Sequence, residues 1–98
     1  MDVEFADDDL SRLETDPRFT GGWPQPIVRG YRKVMQAIRA AVYEADLYAL
    51  RGLHFHKLKG DRSHQHSMMI NKQWRVVIEI VEENGIRKIK LIAIEDYH

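Results

Sequence analysis

The chain of 98 residues has no cysteine, no net formal charge and no long apolar run. The lack of cysteine excludes a disulfide framework and a thiolate metal site. No segment approaches the roughly 18 consecutive apolar residues of a membrane-spanning helix, so no membrane association is expected. The acidic start at 1–4 differs from the basic start of a secretory signal. We therefore expect a soluble, cytoplasmic protein.

The apolar content is enough for one small core. Apolar residues make up 44% of the sequence, which suits one globular domain spanning 1–98 and leaves too little chain for a second.

The first half of the sequence has the apolar spacing of helices. A short strand at 3–5 and a short helix at 7–15 are predicted first. Apolar residues then recur every three or four positions over 27–45, which predicts the main helix with Val42 and Ala45 on its buried face. A helical turn beginning at Asp46 is expected to follow. Four bases on the other faces of the main helix are interpreted as solvated: Arg29, Arg32, Lys33 and Arg39.

The second half changes to the alternating spacing of strands. Strands are predicted at 55–58, 67–70, 74–81 and 86–94. Asn84-Gly85 is a strong hairpin signal between the last two. Alternation places Trp74 on the core face and Arg75 on the opposite face. Helices followed by an antiparallel sheet indicate the α+β class.

The neutral total conceals an uneven distribution of charge. Residues 1–16 hold seven acids and one base, whereas residues 51–75 hold six bases, one acid and four of the five histidines. A basic centre suits anion binding, and an ordinary solvated surface explains it equally well.

Three clusters carry groups capable of chemistry. The pairs His54/His56 and His64/His66 have the spacing of metal ligands on a strand, but no acidic or thiolate companion accompanies them, so no metal site is predicted. The cations of 57–62 surround Gly60, and composition alone favours a charged turn over a phosphate site. The sequence Asp96-Tyr97-His98 supplies a carboxylate, a phenol and an imidazole, which are proton-transfer groups.

Three motifs in the same order resemble the HigB-type toxins of the RelE/ParE superfamily. They are Leu53-His54-Phe55-His56-Lys57-Leu58-Lys59-Gly60-Asp61-Arg62 with Gln65-His66-Ser67, then Ile70-Asn71-Lys72-Gln73-Trp74-Arg75, and finally Asp96-Tyr97-His98. The resemblance covers about half of the chain and agrees with the layout of the helical first half.

The resemblance implies a helical hairpin packed on a twisted antiparallel sheet. It also implies a type II toxin that is an endoribonuclease (an mRNA interferase and a hydrolase), that cuts mRNA in the A site of the 70S ribosome and thereby inhibits translation. A cognate helix-turn-helix antitoxin of the HigA type is the expected partner. The implied cleavage is metal-independent, uses the 2′-hydroxyl as nucleophile and needs no cofactor.

Family positions carry over onto individual residues of this chain. The catalytic candidates are His56, Lys59, Asp96, Tyr97 and His98. The candidates for binding the substrate phosphate are Arg75, Lys57 and Arg62. Which histidine acts as the base stays open.

Other functions stay open because the same fold hosts more than one activity, and one position departs from the family pattern. Met69 stands where many relatives carry an arginine, so one potential phosphate ligand is missing. The alternatives are a non-enzymatic inhibitor of DNA gyrase resembling ParE, and a weakened toxin that only binds its antitoxin. The terminal proton-transfer cluster favours the nuclease, because a binding protein does not require one.

Overall fold

Five strands form one sheet, and the helices precede most of it in the chain. The computed structural model describes residues 1–97. The strands are β1 (Val3–Phe5), β2 (His56–Lys57), β3 (Gln65–Met69), β4 (Trp74–Glu83) and β5 (Ile86–Asp96). The helices are α1 (Asp8–Thr15), α2 (Gln25–Ala40) and α3 (Glu44–Ala49), with single 3₁₀ turns at Arg51–Leu53 and Gly60–Arg62. The predicted α+β class is confirmed.

The sheet order is β1-β5-β4-β3-β2. Strands β2 to β5 pair antiparallel, as predicted, whereas β1 joins the edge of β5 in parallel. The β4–β5 hairpin turns at Asn84 and Gly85, whose φ angles of 54° and 78° are left-handed. Two left-handed residues in succession are what a tight hairpin turn requires.

The two faces of the sheet have different environments. On the face that we call the helix face, Met68, Val76 and Ile78 are fully buried and belong to one core with Leu13 and Tyr31 of the helices. The opposite face, which we call the open face, carries Ser67, Arg75, Val77 and Glu79, as the cross-strand register requires. The predicted alternation along 74–81 is thus correct, and Trp74 contacts Trp23 edge-to-face at 5.2 Å between ring centroids.

The main helix is shorter than predicted. The buried stripe runs from Ile27 to Ile38, but α2 ends at Ala40 and Val42 is 67% exposed, so the predicted burial of Val42 and Ala45 is wrong. The reason lies in Asp46, whose carboxylate accepts hydrogen bonds from the backbone N–H groups of residues 42 and 43 at 2.8 and 3.1 Å. Asp46 therefore sits inside α3 and reaches back to cap it, which starts a new helix instead of continuing the old one.

Two arginines join α2 to α1. Arg32 donates to the backbone carbonyls of Leu13, Asp16 and Phe19 at 3.0 to 3.3 Å, which satisfies acceptors at the end of α1 and in the loop that follows it. Arg39 forms two hydrogen bonds of 2.9 and 2.8 Å with Glu14. The interpretation as solvated is wrong for Arg32, which is half-buried in these contacts, whereas Arg39 is exposed as predicted although it pairs with Glu14.

In the described part of the chain, no helix combines the length and the apolar character needed to cross a membrane.

Gly30 of α2 lies close to Ile70, the residue that follows β3. A methyl group at Gly30 would overlap Cγ2 of Ile70. We expect Gly30→Ala to lower the free energy of unfolding by about 1–3 kcal/mol, because the overlap outweighs the higher helix propensity of alanine. Urea denaturation measures the change. At Gly52 an added methyl group meets no atom of residues 1–97 within 4 Å, so Gly52→Ala is the matched control. A Gly30→Ala protein as stable as the control would contradict the close approach.

Candidate functional site

An irregularity in β5 decides which of its last side chains reach the open face. Val77 pairs with Ala93 and Ile78 pairs with Leu91, so Ile92 is an extra residue, a β-bulge. Beyond the bulge, Glu95 lies opposite Arg75 on the open face, whereas Asp96 lies opposite Trp74 on the helix face.

Glu95 is the centre of an ionic cluster on the open face. Its two carboxylate oxygens accept hydrogen bonds from Arg62 at 3.0 and 2.7 Å, and one of them also accepts from Arg75 at 3.3 Å. The Arg62 guanidinium, which hydrogen-bonds to the Glu95 carboxylate, lowers the pKa of that carboxyl, and Arg75 adds to the effect against the opposing influence of burial. Glu95 correspondingly raises the pKa of Arg62. We call Arg62, Arg75 and Glu95 the arginine cluster.

Local geometry explains how Arg62 reaches β5. Gly60, with a φ of +68°, turns the chain into the 3₁₀ turn that carries Arg62. The Nε–H group of Arg62 donates to Oε1 of Gln65 at 2.9 Å, and the rest of the guanidinium extends to Glu95. Because β4 lies between β3 and β5 in the sheet, this path crosses β4, on which Val77 is fully buried although it lies outside the main core.

Tyr97 lies beside Arg75 of the arginine cluster. The Arg75 guanidinium carbon lies 5.3 Å from the centroid of the Tyr97 ring, within cation–π range. The backbone N–H of Tyr97 donates to the carbonyl of Gln73 at 2.8 Å, so the chain remains docked beyond the last residue of β5. Arg75 is only 17% exposed, and its buried Nε–H group has no hydrogen-bond partner within residues 1–97.

His56 lies on the same face, on the edge strand β2. Its Nδ1 is 2.7 Å from the carbonyl oxygen of His54, and its Nε2 is 3.5 Å from Oγ of Ser67. A carbonyl oxygen only accepts hydrogen bonds, so Nδ1 must carry the proton and the neutral ring keeps a lone pair on Nε2. His54 adopts a left-handed conformation (φ 49°), which accompanies this placement of its carbonyl group. The ring is exposed, and in its neutral form Nε2 is the nitrogen that can accept a proton.

The second histidine pair has no comparable arrangement. His66 lies on the helix face opposite Ile78 and stacks on Phe55 at 4.9 Å between centroids. Burial lowers the pKa of His66, which favours the neutral ring. His64 is exposed, and its Nε2 lies 3.8 Å from Glu79. Among residues 1–97, no three histidine or acidic side chains lie close enough to hold a metal ion.

The sequence-derived candidates are thus divided between the two faces. The structure brings together Arg62, Arg75 and Tyr97 on the open face, which also carries His56. Lys59 is exposed at the start of the 3₁₀ turn.

Two other candidates lie on the helix-face side, and one falls outside the described chain. Lys57 pairs with His66, and Asp96 accepts a hydrogen bond from Nε2 of Gln73 at 3.1 Å. His98 lies outside the residues that the structure describes.

Sequence reasoning missed Glu95. Strict alternation from the buried Ile89 and Leu91 puts Glu95 on the helix face and Asp96 on the open face, and the bulge reverses both. The four consecutive apolar residues 91–94 were a signal for it, because an uninterrupted apolar run breaks the alternation of a strand with one polar face.

Comparison with known proteins agrees with this fold. The model of a family described as the RelE-like toxin HigB of type II toxin–antitoxin systems matches residues 3–98. No curated protein sequence matches the chain significantly. A YoeB/ParE toxin from Agrobacterium tumefaciens is similar in structure, with a TM-score of 0.57, 14% identity and complete coverage of both chains. A conserved hypothetical protein from Helicobacter pylori has a TM-score of 0.53 and 12% identity, covering 99% of this chain and 94% of its own. At these identities the two structures support the fold alone.

The lowered pKa of Glu95 predicts how its ion pairs respond to acid. The unfolded chain titrates near the ordinary value of 4.5 and the folded chain below it. The stabilisation is therefore complete above about pH 4.5 and is lost as the pH falls through the lowered value. We expect the free energy of unfolding of the wild type to exceed that of Glu95→Gln at pH 7, by no more than about 1 kcal/mol for such an exposed pair, and the gap to close towards pH 3.

Urea denaturation at several pH values between 7 and 3 measures this gap. Glu82→Gln removes the same charge at an exposed position and serves as the control. A gap that stays constant or widens in acid would contradict the assigned ion pairs.

Proposed function

Because the chain belongs to the HigB-like family of RelE-like toxins of type II toxin–antitoxin systems, we propose that it is a ribosome-dependent endoribonuclease that cuts mRNA in the ribosomal A site. Family membership implies an antitoxin partner. That this partner is a helix-turn-helix protein of the HigA type, and that the toxin acts in the cytoplasm on the 70S ribosome, are parts of the proposal.

The observation that carries the proposal is the shared face of His56 and the arginine cluster. Cleavage of RNA through its own 2′-hydroxyl needs a base for the hydroxyl proton, cations for the phosphorane and an acid for the leaving oxygen. The open face offers an imidazole nitrogen with a lone pair and two guanidinium groups. Ser67, which contacts His56, pairs with Val77, one same-face step along β4 from Arg75.

The proposed reaction proceeds in one displacement. His56 Nε2 takes the proton of the 2′-hydroxyl, the 2′-oxygen attacks phosphorus, and the bond from phosphorus to the 5′-oxygen breaks. His98 donates the proton that the departing 5′-oxygen acquires. The products are a 2′,3′-cyclic phosphate and a 5′-hydroxyl. The step consumes no water and uses no metal ion. Acid and base assistance contributes about 10²–10⁴-fold to the rate.

The other candidates have supporting roles in this reaction. Arg62 and Arg75 hold the phosphate, and Lys59 approaches it from the turn. Tyr97 offers a ring on which a base can stack. Asp96, which accepts a hydrogen bond from Gln73, orients or activates the reacting groups.

Two positions at the border of the site complete the proposal. Lys57, on the other side of β2, adds positive charge at the rim of the site. Met69 pairs directly with Arg75. Arg75 therefore supplies a cation beside the position at which related toxins often have one.

The base is tested by substitution at His56. We expect His56→Ala to lower single-turnover cleavage of mRNA on programmed ribosomes by at least about 100-fold, the usual effect of removing a catalytic base. Primer extension maps and quantifies the cut. His54→Asn is the matched control, because asparagine tolerates the left-handed backbone and keeps the carbonyl group that accepts from His56. Unchanged cleavage by His56→Ala would overturn its role as base.

The acid and the turn cation are tested in the same assay. His98→Ala and Lys59→Ala are each expected to reduce cleavage at least about 100-fold, because each removes a proton donor or a cation from the transition state. Full activity of both variants would overturn the nuclease assignment. Supercoiling by DNA gyrase is measured alongside: inhibition of gyrase with intact mRNA would favour the ParE-like function, and neither effect would favour a protein that only binds its antitoxin.

A further inference from the structure

The positive charge of Arg62 and Arg75 is partly neutralised by the Glu95 carboxylate of the same chain. We propose that Glu95 is an internal counter-ion which occupies the anion site formed by Arg62 and Arg75, and that a phosphate of the substrate RNA displaces it. This inference rests on the proposed function and identifies the phosphate-binding site within it. In this inference, the Glu95 carboxylate competes with the phosphate for that site.

The geometry of the Arg62–Glu95 pair supports this assignment. Both terminal nitrogens of Arg62 donate to separate oxygens of one carboxylate, at 3.0 and 2.7 Å. Two oxygens of a phosphate accept the same parallel pair of hydrogen bonds. The Glu95 carboxylate oxygens therefore mark positions that phosphate oxygens can take, with Arg62 already held in place through Gln65.

Arg75 retains donors that Glu95 does not use. One terminal nitrogen contacts Glu95 at 3.3 Å, at the weak end of the hydrogen-bond range, and no residue of the described chain accepts from its buried Nε–H group. Unsatisfied buried donors are costly and uncommon in folded proteins. A phosphate has more acceptor oxygens than a carboxylate and can reach both arginines together.

The exposure of the pair makes displacement feasible. The side chains of Arg62 and Glu95 are 38% and 29% exposed, so a ligand can approach from solvent. Ion pairs of this exposure shift an equilibrium by no more than about fivefold, so they are easily exchanged for an anion of higher charge. Glu95 lies near the end of β5 and is reached from the open face, and its flexible side chain can turn away without moving the strand.

A different role for Glu95 predicts the opposite effect of a substitution. If Glu95 only held the two arginines in position, loss of its charge would weaken anion binding. If it competes with the anion, loss of its charge leaves both arginines available and strengthens binding. The sign of the change therefore distinguishes the competitor from a positioning residue.

The experiment measures the binding of inorganic phosphate to the full-length protein, followed by NMR of the arginine side-chain N–H groups at pH 7 and low salt. We expect Glu95→Gln to bind about five- to tenfold more tightly than the wild type, the effect of one added unit of positive charge in a partly exposed site. Arg75→Gln is expected to abolish binding in either background. Glu14→Gln is the matched control, since it removes a carboxylate from an equally bidentate pair with Arg39 in the helical hairpin.

The outcomes separate this inference from the nuclease proposal. Tighter binding by Glu95→Gln, with Glu14→Gln unchanged, supports the competitor even if no mRNA is cut. Unchanged or weaker binding by Glu95→Gln overturns it, even if the wild type cleaves mRNA on ribosomes. An equal gain in Glu14→Gln also overturns it, because the effect would then reflect total charge. The NMR spectrum of each variant reports whether it is folded.

Discussion

The extra residue Ile92 in β5 is the constraint on which the composition of the candidate site depends. Before the bulge, Ile89 and Leu91 lie in the core; after it, Ile94 takes over the helix face while Glu95 and Tyr97 turn outward. Without this shift, Asp96 would stand beside Arg75 and Glu95 would be directed towards the helices. One inserted residue thus decides which carboxylate lies beside the two arginines.

The sequence was sufficient to predict the features that repeat regularly. The α2 stripe up to Ile38, the Asn84-Gly85 turn and the outward position of Arg75 follow from periodicity and turn chemistry, and the structure has all three. Features that depend on single contacts were not predictable in the same way. Asp46 separates α2 from α3 because its carboxylate accepts hydrogen bonds from two backbone N–H groups. The spacing of the apolar residues does not reveal this interaction.

The site was predicted only in part, because the position of Glu95 depends on the bulge and not on regular alternation. Arg62, Arg75 and Tyr97 are neighbours in the structure, but their common partner Glu95 could be found only from the register. The two bidentate arginine–glutamate pairs use different donor atoms, since Arg39 donates from Nε and one terminal nitrogen and Arg62 donates from both terminal nitrogens. The pair of Arg39 and Glu14 ties two helices together, whereas the pair of Arg62 and Glu95 lies beside unused donors on the open face. The two pairs therefore differ both in their geometry and in their surroundings.

The residues of the candidate site lie on strands of very different length. Arg75 and Glu95 belong to long strands that pair along ten positions, whereas His56 belongs to the edge strand β2, which has only two paired residues. Short edge strands open locally at little cost, and their amide hydrogens exchange with solvent faster than those of a central hairpin. In the proposed reaction the two arginines would therefore hold the phosphate from a long, regularly paired hairpin, whereas His56 would act from a short edge strand whose position can adjust to the substrate.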